Sequence, residues 1–301
     1  MEGLIQNNYP NIPINQKIKA IVQLSRPFTV FCAFVITFLI YTYSTLYFSI
    51  SFNIIRAILI GLTFSLLQAF GQVMNQCHPM EVKIDRCNKK LYRPIVANKL
   101  TIENGYTVGI TYLALGILCS IFVSSLFFIM VLSTAFFAYS YTYEPFRFKR
   151  FYIVNNLVQS VSRGFLPFFI IFSIYKFDPL AIFYGIVIMI WVFGAQTTKD
   201  FGDVDGDKKF DIKTFPVVIG KQSIWIVVVF TAVSYCLLAL GLLVNIFPFY
   251  YILGLLLIIP TLIMIASIHT KSITENNLAW MFFYIILGLW PVMPMIGLAV
   301  V

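Results

Sequence analysis

Apolar stretches about twenty residues long recur from one end of this chain to the other, and a helix needs roughly 20 residues to cross the hydrocarbon core of a bilayer. Set against breaker residues, they predict helices over 27–49, 54–76, 105–123, 125–142, 152–174, 179–198, 222–245, 248–268 and 278–299. With 60% of its 301 residues hydrophobic, only 11% charged and a mean hydropathy of +0.88, the chain is excluded from the soluble globular enzymes, which carry about a quarter charged residues. The expected fold is all-α: one polytopic transmembrane domain over 1–301, a bundle of about nine helices around a central cavity. The five cysteines are scattered and odd in number, which indicates free thiols rather than a disulfide framework or a zinc site.

Charge fixes the expected orientation. Eighteen of the 21 Lys and Arg fall in 1–26, 77–104, 143–151, 199–221 and 269–277, and only Arg56 and Lys176 fall in the opposite loops. Cytoplasmic loops carry the basic excess of membrane proteins, so the N-terminus is expected to be cytoplasmic. Residues 1–26 lack the apolar centre of a secretory signal, so the mature chain is expected to start with this segment. The net charge of +9 is then explained by topology and by attraction to anionic lipid head groups, and no nucleic-acid partner is expected.

The acidic residues are distributed unevenly. Seven of the twelve lie in two short windows, Glu81 and Asp85 after the second predicted helix, and Asp200, Asp203, Asp205, Asp207 and Asp211 after the sixth. Glu81 and Asp85 are spaced i,i+4, and Asp200, Asp203 and Asp207 are spaced i,i+3,i+7. Each set is therefore expected on one face of a helix continuing past the membrane surface, with Asp205 and Asp211 pointing elsewhere. Like charges on one face repel, and Gly202 and Gly206 weaken a helix further, so the segment needs help to stay ordered. Magnesium supplies it, because this hard cation commonly bridges carboxylates to substrate phosphates. Lys83, Arg86, Arg93, Lys199, Lys208 and Lys209 are placed to contact the remaining phosphate oxygens.

Two acidic windows above an apolar bundle suggest a substrate with a diphosphate head and a hydrocarbon tail. Metal ions would ease rupture of an allylic carbon–oxygen bond, and nearby aromatics (Phe136, Phe137, Tyr139, Tyr141, Tyr143, Phe165, Phe168, Phe169) offer faces to a carbocation or simply pack and meet lipid. Arg163 lies mid-way along the fifth span, where facing lipid costs about 2.5–3.5 kcal/mol, so it is expected to face the bundle. There it binds a diphosphate or an acceptor's polar group, or it is a structural partner for Gln159 or a backbone carbonyl. His78 and His269 are read as incidental.

At these residues the sequence resembles the UbiA superfamily of intramembrane prenyltransferases. Asn75-Gln76, Asp85, Asn88-Lys89 and Arg93-Pro94 are similar to the family's first signature. KDFGDVDGDKKFDIKTFPVVIG (199–220) is similar to its second, and YTYEPFRFKR (141–150) to an intervening loop. The family usually has Asp where Glu81 stands and Asn where Cys77 stands, so Asn75 fits only with two extra residues; Asn98 replaces a usual Gly, and both types adopt left-handed backbone. The resemblance implies two or more magnesium ions held by Asn75, Glu81 and Asp85 and by Asp200, Asp203 and Asp207. It also implies catalytic roles for Glu81, Asp85, Asp203 and Tyr141, and substrate contacts at Asn75, Gln76, Arg93, Arg147 and Lys199, with Arg163 added from its place in the span. The implied activity is transfer of an isoprenyl group from an isoprenyl diphosphate to a lipophilic acceptor, a quinone-precursor ring or a glycerol-type lipid. The divergent first signature also resembles UbiA-type terpene cyclases, in which the cation attacks its own chain. A cation-coupled transporter is a third class, but it would carry its acids near mid-membrane rather than at one surface.

Overall fold

The computed structural model describes residues 13–268 and 278–300, so residues 1–12, residues 269–277 with His269 among them, and residue 301 lie outside the description. Among the described residues all regular secondary structure is helical. A short helix α1 (Ile14–Leu24) precedes α2 (Pro27–Tyr47), α3 (Ile54–Cys77) and the nine-residue α4 (Pro79–Cys87). Next come α5 (Ile102–Ile121), α6 (Ser125–Ser140), α7 (Tyr152–Ser160) and α8 (Leu166–Ser173), the last two joined by a π-helical segment, Val161–Phe165. The second half holds α9 (Pro179–Ala195), α10 (Val204–Lys209), α11 (Phe215–Ile219), α12 (Ile224–Leu243), α13 (Ile258–Ala266) and α14 (Leu278–Val300).

Local chemistry sets the starts of the long helices. The side chains of Asn53, Thr101, Ser124 and Asp178 accept hydrogen bonds from backbone N–H groups of the first turns of α3, α5, α6 and α9. Among the described residues seven segments are long and apolar enough to cross a membrane, namely 27–47, 54–77, 102–121, 179–202, 215–243, 249–266 and 278–300. The fourth predicted span, α6, is 16 residues long, short of the ~20 a crossing takes, and the fifth is divided by the π segment. Large apolar side chains cover the outside, among them Phe31, Ile129 and Leu243, as befits a surface whose solvent is lipid. The protein is a multi-pass integral membrane protein.

The long helices form a ring. Helix α3 packs between α2 and α5, α9 packs on α12, and α14 closes the circle against α2 and the 3-10 stretch Phe249–Leu257. Small residues allow the close approaches: a Cβ on Gly194 would stand 3.1 Å from the Ile226 and Val227 carbonyl oxygens, and one on Gly164 would stand 2.8 Å from Met189 Cα. Buried aromatics from one end of the ring, including Tyr43, Tyr184, Tyr251, Trp191 and Trp290, fill its axis. At the other end the axis is open.

Candidate active site

The open end leads into a cavity of about 820 Å³. Its walls come from the first half of α2, the second half of α3, α4, the π segment and the first half of α14, with Lys199, Asp200, Asp203 and Asp207 closing the mouth. Glu81, Asp85, Asp200, Asp203 and Asp207 all line this one space, so the two acidic windows converge.

They do so on different scaffolds from those expected. Backbone ψ swings to 125° at His78, ending α3, and the His78 ring nitrogen Nδ1 accepts from Met80 N–H to start α4 as a separate helix. Glu81 and Asp85 share one buried face of α4, 1% and 3% exposed. In the second window a 3-10 segment, Gln196–Gly202, ends at Asp203 before α10 begins, so Asp200, Asp203 and Asp207 do not lie along one continuous helix. The glycines that weaken the helix allow this break, and one of them makes the junction between the windows. Asn88 Oδ1 accepts from Gly206 N–H at 2.7 Å while its Nδ2 donates to the Asp203 carbonyl, and a Cβ on Gly206 would stand 2.6 Å from the Asn88 amide.

Cations separate the carboxylates. Arg93 pairs with Asp85, Lys90 bridges Asp203 and Asp85, Lys149 bridges Glu81 and Asp207, and Lys199 stands 3.8 Å from Asp200. The charge balance tunes these groups. Burial alone would raise the Asp203 carboxyl, but the charge and hydrogen bond of Lys90, together with Arg93 and Lys149, outweigh it and hold Asp203 down to about 2. Burial wins at Asp207, pushing its carboxyl up to about 7, because Lys149 is 4.0 Å away and is engaged chiefly with Glu81. Lys149 itself is pushed up because Glu81 and Asp207 outweigh its burial.

Several predicted residues fall at the cavity in modified roles. Asn75 lines it and donates to Thr142 Oγ1 at 3.1 Å, whereas Cys77 is buried against Gly105 on the far side of α3. Gln76 lines it but spends its amide N–H on the Leu24 carbonyl. Tyr141 Oη donates to Asn155 Oδ1 at 2.8 Å and accepts from Lys199 Nζ at 3.0 Å, and Asn155 donates onward to Asp200. Arg163 faces the cavity as expected, although its partner is Gln196 rather than Gln159. Asn98 has the left-handed backbone expected of it, φ 55°.

Others fall elsewhere. Arg147 is not among the lining residues and sits behind Glu81, its Nη2 3.8 Å from Oε1. Lys83, Arg86, Lys208 and Lys209 are exposed away from the cavity, and Lys90 and Lys149 occupy the positions expected of them. Of the aromatics named from sequence, Phe137 and Tyr141 reach the cavity, Phe136 and Tyr139 face outward, and Phe168 packs in the core. The other aromatic walls are Phe64, Tyr92, Trp280 and Tyr284, which no local spacing distinguishes from ordinary membrane aromatics.

No three carboxylates, histidines or cysteines among the described residues already stand close enough to hold a metal ion. The donors nevertheless suit a hard divalent cation: all are oxygens, and Glu81 Oε1 and Asp207 Oδ1, one from each window, are buried without a hydrogen-bond partner. Displacing the bridging ammonium groups toward a bound anion would free the rest.

A helical membrane bundle that gathers carboxylates and cations at the mouth of a partly apolar chamber belongs to the class of intramembrane enzymes that handle an anionic head on a lipophilic tail. The chain belongs to the UbiA prenyltransferase family, whose model matches residues 35–287, and it is an integral-membrane prenyltransferase. It is 27% identical over 199 residues to the digeranylgeranylglyceryl phosphate synthase of Methanococcus maripaludis strain S2, covering 65% of this chain and 68% of that one. It is 24% identical over 210 residues to the enzyme of the same name from Methanocaldococcus jannaschii, covering 67% and 69%. A UbiA homologue from Archaeoglobus fulgidus, solved bound to GPP and Mg2+, superposes with a TM-score of 0.73 at 19% identity, over 93% of this chain and 99% of that one.

Proposed function

We propose that this protein transfers an isoprenyl group from an isoprenyl diphosphate to a hydroxyl of a glycerol-type lipid, using divalent metal ions at a cytoplasmic mouth. The convergence of both acidic windows on one cavity carries this reading, because a diphosphate gripped there places its tail in the bundle. The named activity of the Methanococcus and Methanocaldococcus relatives supports the choice of acceptor, and the GPP and Mg2+ bound to the Archaeoglobus neighbour support the donor and the metal.

Asn75, Glu81, Asp85, Asp200, Asp203 and Asp207 would hold magnesium, two ions or more. When bound, magnesium neutralises the leaving diphosphate and so lowers the barrier to breaking the allylic bond. The chain's own residues do the rest. Lys90, Lys149 and Arg93 turn from the carboxylates to the diphosphate oxygens, and Lys199 is held toward them by Tyr141 and Asn155. The bond from C1 to the diphosphate oxygen breaks with its electron pair leaving on the diphosphate. The acceptor oxygen bonds to C1, and its proton departs on the released diphosphate. Ile36, Phe64, Leu67, Phe137 and Leu287 keep water from the cationic carbon, and the Tyr141 ring presents a π face near it.

The test incubates purified protein with magnesium and isoprenyl diphosphates of several lengths, with and without a prenylated glycerol acceptor. Ether product that requires the acceptor is expected. Cyclic hydrocarbons or alcohols formed without acceptor would replace this reading with a cyclase, and diphosphate release untouched by Asp85→Ala or Asp203→Ala would remove the enzyme site altogether.

A further inference from the structure

Asn155 is fully buried and does not line the chamber, yet its side chain touches two residues that do. Its Oδ1 accepts from Tyr141 Oη at 2.8 Å, and its Nδ2 donates to Asp200 Oδ2 at 3.3 Å and to Asn156 Oδ1 at 3.0 Å. Three bonds on one amide offset the cost of burying it near the start of α7. The neighbouring Asn156, also fully buried, is spent on packing. Its Nδ2 donates to the Phe193 carbonyl and to Thr197 Oγ1, both at 2.8 Å, which clamps α7 to the end of α9 and the 3-10 segment after it. Asn155 reaches toward the mouth instead.

The direction of the protons in this network is settled by the groups at its ends. The Phe193 carbonyl can only accept, so Asn156 turns its Nδ2 there and its Oδ1 toward Asn155. Asn155 must then donate to Asn156 through Nδ2. The Asp200 carboxylate, which also only accepts, calls for the same orientation. Both ends therefore leave Asn155 Oδ1 facing Tyr141, and the phenol proton is committed to it. What Tyr141 Oη has left is a lone pair. Lys199 Nζ, which can only donate, takes that lone pair at 3.0 Å and closes the ring by standing 3.8 Å from Asp200 Oδ1.

Resting on the isoprenyl diphosphate donor proposed above, we propose that Asn155 is a positioning residue for the reaction, acting through Tyr141. It fixes the Tyr141 hydroxyl as an acceptor, so that Tyr141 holds the Lys199 ammonium at the diphosphate and gives the diphosphate no proton of its own. Without Asn155 the phenol proton is free to turn toward Lys199, and the oxygen no longer holds the ammonium in place. The same amide occupies Asp200 Oδ2 and leaves Oδ1 beside Lys199. Asn155 itself touches no reacting atom.

Titration calorimetry with magnesium and a non-cleavable isoprenyl thiolodiphosphate tests this on the wild type, Tyr141→Phe, Asn155→Leu and the double variant, each checked for an unchanged thermal melting profile. Tyr141→Phe and Asn155→Leu should each weaken analogue binding by about tenfold, the size of a lost hydrogen bond to a charged group. The double variant should bind no more weakly than Asn155→Leu alone, because both changes release the same ammonium. Asn155→Ala takes the place of Asn155→Leu in the cycle if the larger side chain lowers the melting temperature. Losses that multiply in the double variant, as for an asparagine that only holds the fold, would overturn the positioning role. So would unchanged binding in Asn155→Leu, or a loss there that Tyr141→Phe does not share. None of these three results touches the transferase reading, which fails instead if the coupling is as expected but no acceptor is prenylated. A wild type that binds no analogue would overturn the donor site, and this role with it.

Discussion

Lys149 shows how much one side chain does at this mouth. Its ammonium lies between Glu81, from the first acidic window, and Asp207, from the second, and replacing it with Met would leave the buried Asp207 without its cation and Glu81 with only the Arg147 guanidinium. Breaking a buried ion pair from one side costs about 3–5 kcal/mol. Lys149→Met should lower unfolding stability by roughly that amount without metal, with magnesium restoring part of it in the same denaturation measurement. Asp207 gives a second prediction. A carboxyl raised to about 7 by burial holds its proton more tightly in the fold than in the unfolded chain, whereas a metal ion needs the carboxylate. Metal affinity, followed by titration calorimetry, should therefore fall as pH drops through about 7, and Asp207→Asn should flatten that dependence. The acids were legible in the sequence because their spacing is unlike scattered surface charge. Lys90 and Lys149 were not, since they sit in the irregular stretch after α4 and in a 3-10 segment, neither of which periodicity resolves. Trp280 and Tyr284 look like any aromatics in an apolar run.

At the scale of elements, the two windows are joined by α4 and α10 rather than by extensions of the long helices. The Asn88 amide makes the junction with two hydrogen bonds, and Gly206 leaves room for it. Asn88→Ala removes both bonds, worth about 1–3 kcal/mol if the freed backbone groups stay buried, and Gly206→Ala overpacks the contact at a similar cost. Either variant should weaken magnesium and diphosphate-analogue binding by about tenfold or more while the bundle's helical circular dichroism persists. The sequence placed these acids at the right helix ends. It failed to show the breaks at His78 and Asp203, because i,i+4 and i,i+3,i+7 spacing fits one long helix as well as two short ones meeting at an angle.

For the whole molecule, the ring of helices gives an apolar exterior, a polar mouth and an aromatic floor, and the length of the chamber between mouth and floor limits the tail it can hold. The apolar runs made this architecture readable, since a bilayer leaves a chain of such runs few folds besides a helical bundle. Leu287 lines the chamber on α14, so Leu287→Trp should shift preference toward shorter isoprenyl diphosphates in a mixed-length competition assay. The central claim is that both acidic windows grip one metal–diphosphate unit. Anomalous diffraction from a crystal soaked with manganese and a non-cleavable isoprenyl diphosphate analogue tests it most directly. Ions about 2.0–2.3 Å from carboxylate oxygens of both windows, with the analogue's diphosphate between them, are the expected result. Ions confined to one window, or a diphosphate bound away from the acids, would contradict it.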